Sequence, residues 1–555
     1  MKINGTAIFL LIIAIAQFTP HAYAFNPPPM KWNKTYGGNS PEMAYSAQQT
    51  NDYGYVIAGY TSSFGAHGTD FWLVKTDPNG NTQWNRTYGG LSGDEAYSVK
   101  QTNDGGYILA GSTNSFSIGF SDFWLVKTNS DGEMVWNKTY GGIRWDIAYS
   151  VQETIDGGYI AAGSTNSFGS GYEDFYLVKT DANGIMQWNK TYGGLYDDIA
   201  YSIQQTSDGK YVVCGYTSSF GAGYEDFWLL KIDSVGNVEW NKTYGGENSE
   251  FSYCVQQTSD NGYIIAGSTY SLETEFDIYL VKTDSSGNMQ WNKTYGGSFD
   301  EEAYAVQQTS DGGYILAGFT DSFSDNRDIW LIKTDPSGNI EWSQAYGGAE
   351  KDEAYAIQQT SDGGYTIAGT TYSFGPGWDP DFWLIRLAAL HDITIQNVTL
   401  DKNVIGKGYS IFINVTIKNW GMNETFNVTV YANATDIGTQ LVTLTSGNTT
   451  SIIFTWDTKT FAEGNYTIGA YAWSIPGETD LDDNNCTDSW VFMTKVGDLG
   501  GEVNYIPTFF ACDGNIDGYD LALFIACYKG PPECPPNAVY LGDLGGPVNN
   551  IPTFF

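Results

Sequence analysis

Trp136-Asn137-Lys138-Thr139-Tyr140-Gly141-Gly142 recurs, with small changes, seven times in this chain of 555 residues. The opening tryptophans stand at 32, 84, 136, 188, 240, 291 and 342, so consecutive copies lie 52, 52, 52, 52, 51 and 51 residues apart. A fixed period of this length marks repeated units that bury their apolar faces against one another. Two further phrases also occur seven times. One is the hairpin Gln-Gln-Thr-x-Asp-Gly-Gly-Tyr-Ile-x-Ala-Gly, as at Gln204 to Gly215 with Lys210 in place of the second Gly; the other is Asp-Phe-Trp-Leu-Val-Lys, as at Asp70 to Lys75.

Local rules count the strands. Ala-Tyr-Ser-Val-Gln-Gln-Thr is β-rich and stops at Asp-Gly-Gly, where the turn needs positive φ, and Tyr-Ile-Leu-Ala-Gly returns as a short apolar run. Phe-Trp-Leu-Val is a second apolar run too short for a helix, and Thr-Asp-x-x-Gly-Asn turns the chain into Trp-Asn-Lys-Thr-Tyr. Each unit therefore carries four strands. Continuous apolar runs mean burial on both sheet faces, which small twisted sheets stacked radially provide without long exposed edges. The expected architecture is all-β: a seven-bladed β-propeller over 25–388.

The ends of the array predict how it closes. The first Trp-Asn-Lys-Thr-Tyr, at Trp32, precedes any hairpin, and the last Asp-Phe-Trp-Leu-Ile-Arg, Asp381 to Arg386, has no such strand after it. The N-terminal piece is expected to supply the fourth strand of the last blade. An open solenoid is the alternative, but it would carry atypical capping units instead of a split unit.

Composition sets the setting. The formal charge of −37 disfavours nucleic acid and anionic membranes and favours cations, basic partners or plain solubility. Residues 1–24 read as a signal peptide: Lys2, an apolar run from Ala7 to Ala16, and the small-x-small site Ala22-Tyr23-Ala24. Later segments contain no run near the roughly 20 apolar residues that span a bilayer. A secreted, extracellular or cell-surface protein without a membrane span is expected. Export also suits the Asn-x-Thr sequons at Asn33, Asn85, Asn137, Asn189, Asn241 and Asn292, and the denser set from Asn397 to Asn485, where glycosylation is the expectation.

From about His391 to Thr494 the text changes to alternating strands such as Ser410 to Asn419 and Phe426 to Asn433, about seven strands in an immunoglobulin-like sandwich. Asn397-Val-Thr-Leu, Asn414-Val-Thr-Ile-Lys-Asn-Trp-Gly, Gly464-Asn-Tyr-Thr-Ile and Glu478-Thr-Asp-Leu-Asp-Asp-Asn484 resemble the CARDB family of adhesion-type sandwiches. That resemblance implies a spacer or adhesive module over 391–494. Its acidic loop, Glu478, Asp480, Asp482 and Asp483, reads either as a solvated turn or as a calcium loop.

Region 497–555 has its own repeat: Gly497-Asp-Leu-Gly-Gly returns at Gly542, and Ile506-Pro-Thr-Phe-Phe returns at Ile551 to Phe555. Between them, Asp513-Gly-Asn-Ile-Asp-Gly-Tyr-Asp520 is a run of oxygen ligands leading into a short helix, resembling the second half of a dockerin loop. The resemblance implies calcium held by Asp513, Asn515, Asp517 and Asp520, a calcium-dependent docking tail and a cohesin-like partner. Phe509 and Ala511 stand where dockerins place their first two ligands, and the second copy stops before its acidic loop. An EF-hand register from Asp513 to Gly518 instead puts Phe524 where the bidentate acid belongs. Of six cysteines, Cys512 and Cys527 are expected to bridge, Cys534 and Cys486 to pair or stay free, and Cys214 and Cys254 to be buried small residues or an inter-blade bridge.

Chemistry is sought where repeats converge or break. Three positions before the Tyr of each Ala-Tyr-Ser strand stands an acid: Glu42, Asp94, Asp146, Asp198, Glu250, Glu301 and Asp352. If that strand is innermost, seven carboxylates border one mouth of the central channel and favour a cation or basic ligand. Otherwise each acid accepts hydrogen bonds from its local Gly-Gly loop, or pairs with the basic row Lys75, Lys127, Lys179, Lys231, Lys282, Lys333 and Arg386. Beyond the leader only His67 and His391 remain, too few for a histidine triad or zinc site.

Two functions follow. One is a secreted, non-catalytic binding or adhesion protein whose propeller meets polysaccharide or a cell-surface protein, with Phe116, Phe120, Tyr172, Tyr224 and Trp378 offered for sugar stacking. The other is an extracellular polysaccharide-degrading, glycoside hydrolase-like enzyme, suggested by the company dockerin-like modules keep and by the abundance of carboxylates.

Overall fold

The computed structural model describes residues 27–494 apart from 390, 422, 446, 476, 477, 479, 480 and 482. The expected signal peptide, region 497–555 with its ligands Asp513, Asn515, Asp517 and Asp520, and Cys512, Cys527 and Cys534 lie outside the described residues.

Among those residues the repeat region is built of strands joined by turns and loops. Seven four-stranded antiparallel sheets cover Met30 to Leu387. In the second, Asp94–Gln101, Tyr107–Thr113, Asp122–Thr128 and Met134–Tyr140 pair in that order. The two continuous apolar runs are the second and third strands, buried along their whole length. Both their faces are covered, because each apolar cluster joins two consecutive sheets: Phe71 and Leu73 of one pack with Val99, Leu109 and Trp124 of the next. The Phe71 and Trp124 rings lie 4.5 Å apart. The Trp-Asn-Lys-Thr-Tyr strand is the outer edge, exposed except at its Trp and Tyr. Those two residues staple the next sheet: Trp84 packs edge-on against Tyr107, and the Tyr88 hydroxyl donates to the Gly132 carbonyl at 2.6 Å.

Each first strand touches the first strands of both neighbouring sheets, and Glu42–Gln49 touches both Asp94–Gln101 and Asp352–Gln359, so the contacts run in a cycle. Met30–Tyr36 pairs antiparallel with Asp381–Leu387, Tyr36 opposite Phe382 and Trp32 opposite Arg386. Trp72 of the first sheet meets Phe382 of the last at 4.6 Å. The arrangement is compatible with propeller blades. At the hairpin turn Gly105 has φ of 81°, and a Cβ there would meet nothing within 4 Å, so glycine is present for backbone freedom alone.

The second region forms a sandwich. A three-stranded sheet (Ile393–Leu400, Ser410–Asn419, Thr449–Asp457) faces a five-stranded one whose order is Val404–Gly406, Asn485–Thr494, Gly464–Ala472, Glu424–Ala432, Thr435–Leu444. Alternation of apolar and polar residues, clearest in Ser410–Asn419, sends Ile411, Ile413, Val415 and Ile417 into a single core with Val428, Val430 and Trp456. Among the described residues eight strands are present where about seven were expected. The region is tied to the repeats by Lys31 Nζ, 2.7 Å from Asp392 Oδ2.

Candidate functional site

The acidic row Glu42, Asp94, Asp146, Asp198, Glu250, Glu301 and Asp352 opens the seven first strands, but its side chains do not line a channel mouth. All seven residues are at most 4% exposed. Glu42 accepts from Gly38 N at 2.8 Å, Thr61 Oγ1 at 2.7 Å and Ser63 N at 3.1 Å, and Asp94 accepts from Gly90 N at 2.9 Å. The expectation of a channel-mouth ring is corrected accordingly: the Tyr-Gly-Gly loop closes over each acid because it supplies the donors that a buried carboxylate requires. The basic row does not neutralise these acids.

Each acid instead meets the Asp that opens the third strand of the preceding sheet. A Cβ on Gly89 would stand 1.7 Å from Asp70 Oδ1 and 2.9 Å from Asp94 Oδ2, so the first glycine of Gly-Gly is the spacer between two carboxylates. Burial, and then the neighbouring Glu42, push the Asp381 carboxyl up to about 7. Burial likewise raises Asp174 and Asp328 to about 6, with Asp198 and Asp352 as the respective charged neighbours. At these three positions burial and the neighbouring carboxylate favour the protonated aspartic acid.

The basic row turns the other way. Lys75, Lys127 and Lys179 pair with the hairpin-turn residues Asp52, Asp104 and Asp156 at 2.8–2.9 Å, and Lys231, Lys282, Lys333 and Arg386 repeat the contact with Asp208, Asp260, Asp311 and Asp362. Lys127 also donates to Thr128 O at 2.7 Å. Burial pushes the Asp104 carboxyl up, but donors from Lys127, Thr102 and Gly106 N–H bring it down to about 2.

The seven first strands enclose a passage whose lining the sequence reading missed. Tyr45, Tyr97, Tyr149, Tyr201, Tyr253, Tyr304 and Tyr355 form a closed ring in which each aromatic centroid lies 4.9–5.2 Å from the next. Each tyrosine sits on a β-bulge, as between Ala44 and Ser46, which swings it out of alternation toward the passage. The Tyr97 hydroxyl donates to Glu95 at 2.6 Å. Burial, then the Glu95 charge, raise its pKa far above the ordinary phenol range.

Variation gathers at the loops that join second to third strands and one sheet to the next, all on one face of the ring. Ile118, Phe120, Tyr172, Tyr224 and Leu272 there are 61–88% exposed, and Trp378 is 96% exposed. Phe120 stacks on Trp145 at 5.5 Å with an 11° interplanar angle, leaving both rings half open to solvent. Phe116, by contrast, turns its ring onto Trp124 at 5.2 Å.

The remaining candidates are structural. His67 is exposed in a loop. His391 Nδ1 lies 2.6 Å from Glu424. Glu478 accepts from Ile393 N and Ile475 N, and Asp483 from Thr394 Oγ1, so these two residues of the acidic loop tie strands together; Asp480 and Asp482 lie outside the described residues. Among the described residues no group of three or more His, Cys, Asp or Glu could hold a metal ion. Cys486 is disulfide-bonded, whereas Cys214 and Cys254 are free thiols, so the inter-blade bridge considered above is not formed. No helix among the described residues is long and apolar enough to cross a membrane.

Known proteins resemble parts of this chain. The regulatory protein FlaEY of Caulobacter vibrioides is 24% identical over 200 residues, which is 32% of this chain and 20% of that protein, so the chain spans about a fifth of this curated relative's length. A fungal alcohol oxidase of the AA5 family in complex with copper is 12% identical, with a TM-score of 0.42, covering 84% of this chain and 100% of its own. A puromycin hydrolase is 12% identical, with a TM-score of 0.40, over 68% of this chain and 58% of its own. The CARDB domain of a Pyrococcus furiosus protein, in complex with di-metal ions, is 23% identical, with a TM-score of 0.17, over 19% of this chain and 90% of its own. The CARDB family model matches residues 390–487. Residues 390–487 are therefore a CARDB domain, joined to a β-rich repeat array.

Proposed function

We propose that the repeat array is a closed seven-bladed propeller and that the chain is a secreted, non-catalytic binding or adhesion protein, its loop face meeting polysaccharide or a cell-surface protein. In this reading the CARDB domain is a spacer, and region 497–555 is a calcium-dependent docking tail for a cohesin-like partner. The observation that carries the reading is the loop face. Buried positions repeat almost letter for letter, while the solvent-facing aromatic and aliphatic side chains differ from unit to unit and reach 96% exposure at Trp378. Exposed apolar surface of this extent marks an interaction site. Open aromatic faces also suit sugar rings, which stack their C–H faces on them.

The enzyme alternative finds less support. Five of the seven carboxylate pairs are buried under their loops, with both members of the Asp70–Asp94 pair at most 1% exposed, so neither of those two reaches a glycosidic oxygen; in the other two pairs Asp277 and Asp328 are half-buried. The test is depletion of the full chain from solution by a panel of insoluble polysaccharides, with reducing ends counted in the same tubes. Depletion without new reducing ends is expected, and new ends that vanish when two acids of one face are changed would overturn the reading.

A further inference from the structure

The first residue of the Gln-Gln dipeptide in each hairpin has a geometric purpose, and one unit departs from it. In six sheets the first glutamine reaches sideways: the Oε1 atoms of Gln48, Gln152, Gln204, Gln256, Gln307 and Gln358 accept from the backbone N–H of the residue after the equivalent position in the next sheet, at 2.5–2.8 Å. The result is a hydrogen-bonded hoop inside the passage, a short step along the strands from the tyrosine ring. At the seventh joint the residue is Lys100. A lysine has no acceptor. The N–H it would have met, that of Glu153, finds no side-chain acceptor among the described residues.

Lys100 is exposed although the strand carrying it is otherwise buried or half-buried, because its side chain projects into the passage. Its ammonium makes no hydrogen bond or ion pair among the described residues. Glu153, the nearest carboxylate in sequence register, accepts from Asn103 N at 2.7 Å instead. Enclosure in the passage pushes the Lys100 amine below its ordinary range, opposed only by Cys254, from the sheet three places on, across the passage, and burial keeps that thiol protonated. At the one break in the hoop, therefore, a lysine amine and a backbone N–H both stand without a side-chain acceptor among the described residues.

We propose that the gap at Lys100 is a binding site for a small oxyanion, a phosphate or carboxylate group, held by the Lys100 ammonium and the Glu153 N–H inside the passage. Charge-assisted bonds to an oxyanion are the strongest use of these donors. The surrounding hoop supplies rigid walls, since its glutamine oxygens are already engaged.

The test uses the full chain at constant ionic strength, with chloride replaced stepwise by inorganic phosphate or by acetate, and follows thermal melting of the native protein, Lys100→Gln and Lys100→Arg. Lys100→Gln restores the residue of the other six units, completes the hoop and melts in chloride no lower than the native protein. The native protein is expected to show a saturable rise in melting temperature with phosphate, acetate or both. Lys100→Arg keeps the rise, and Lys100→Gln needs about tenfold more anion or loses the rise. Response to phosphate alone assigns an inorganic or phosphoryl ligand, and response to acetate assigns a carboxylate. A Lys100→Gln curve that tracks the native one throughout, or a native protein indifferent to both anions, would overturn the proposal.

Discussion

Asp381 shares a proton with Glu42 in the sheet that joins the two ends of the array, so its replacement by Asn makes a sharp test. Burial and the adjacent carboxylate raise Asp381 from 3.8 to about 7. A carboxyl whose folded pKa is raised contributes most at low pH, and that contribution is lost as pH rises from about 4 through about 7. At 1.36 kcal/mol per tenfold change in proton affinity, the rise from 3.8 to about 7 sets a ceiling of about 4 kcal/mol. The pair lies under a solvent-facing loop, and water access reduces this to about 2 kcal/mol. In Asp381→Asn an amide N–H donates to Glu42 and the Asp381 titration is removed. Guanidinium midpoints of the native protein and the variant are measured at pH 4.5 and pH 8. The variant is expected to gain on the native protein by about 2 kcal/mol between the two, other titrations cancelling in the difference. A native-minus-variant difference that is independent of pH would refute the shared proton and the close approach across Gly37.

Three further outcomes follow from the same geometry. Gly105→Ala is expected to cost about 1 kcal/mol from backbone strain alone, since a Cβ there meets nothing; an unchanged midpoint would deny the left-handed turn. Removing one partner of the Lys127–Asp104 pair is expected to be asymmetric, because the lysine is 4% and the aspartate 65% exposed. Asp104→Ala strands a buried ammonium at a cost of about 3 kcal/mol, whereas Lys127→Met leaves a hydrated carboxylate and costs about 1 kcal/mol; equal midpoint shifts would contradict this. On the loop face, Trp378→Ser with Tyr224→Ser is expected to weaken retention by the captured polysaccharide about tenfold or more without moving the melting temperature, and unchanged retention would move the binding surface elsewhere.

The sequence was most legible where physics acts locally and repeats. The 52-residue spacing, the Asp-Gly-Gly turns and the continuous apolar runs lead to four strands per unit, and the unpaired Trp32 strand leads to its partner at Asp381–Leu387. Three-dimensional pairings were less legible. Nothing in the text ties Lys75 to Asp52 rather than to Glu42, because the choice depends on which way a buried side chain leaves its strand. For the acids the sequence allows either a channel mouth or the local Gly-Gly loop, because a position near a strand end suits both, and only the folded chain shows the loop closing over each carboxylate. A bulge hid the tyrosine ring, since strict alternation does not reveal which side a bulged residue takes. Lys100 carried a readable signal, the single lysine in a column of six glutamines. Its consequence is not local, because the N–H left without a glutamine belongs to the neighbouring sheet.

Loop face, passage and hoop all presuppose a ring joined through its N-terminal strand. Hydrogen exchange read by mass spectrometry on peptides covering 30–36 tests this directly, with the outer strand 82–88 of the first sheet as internal reference. Amides of Trp32 to Tyr36 are expected to be protected to the same degree as those of Trp84 to Tyr88, since both strands occupy the fourth place in a sheet. Exchange of residues 30–36 at the rate of an unstructured tail, while 82–88 stays protected, would contradict the closed ring.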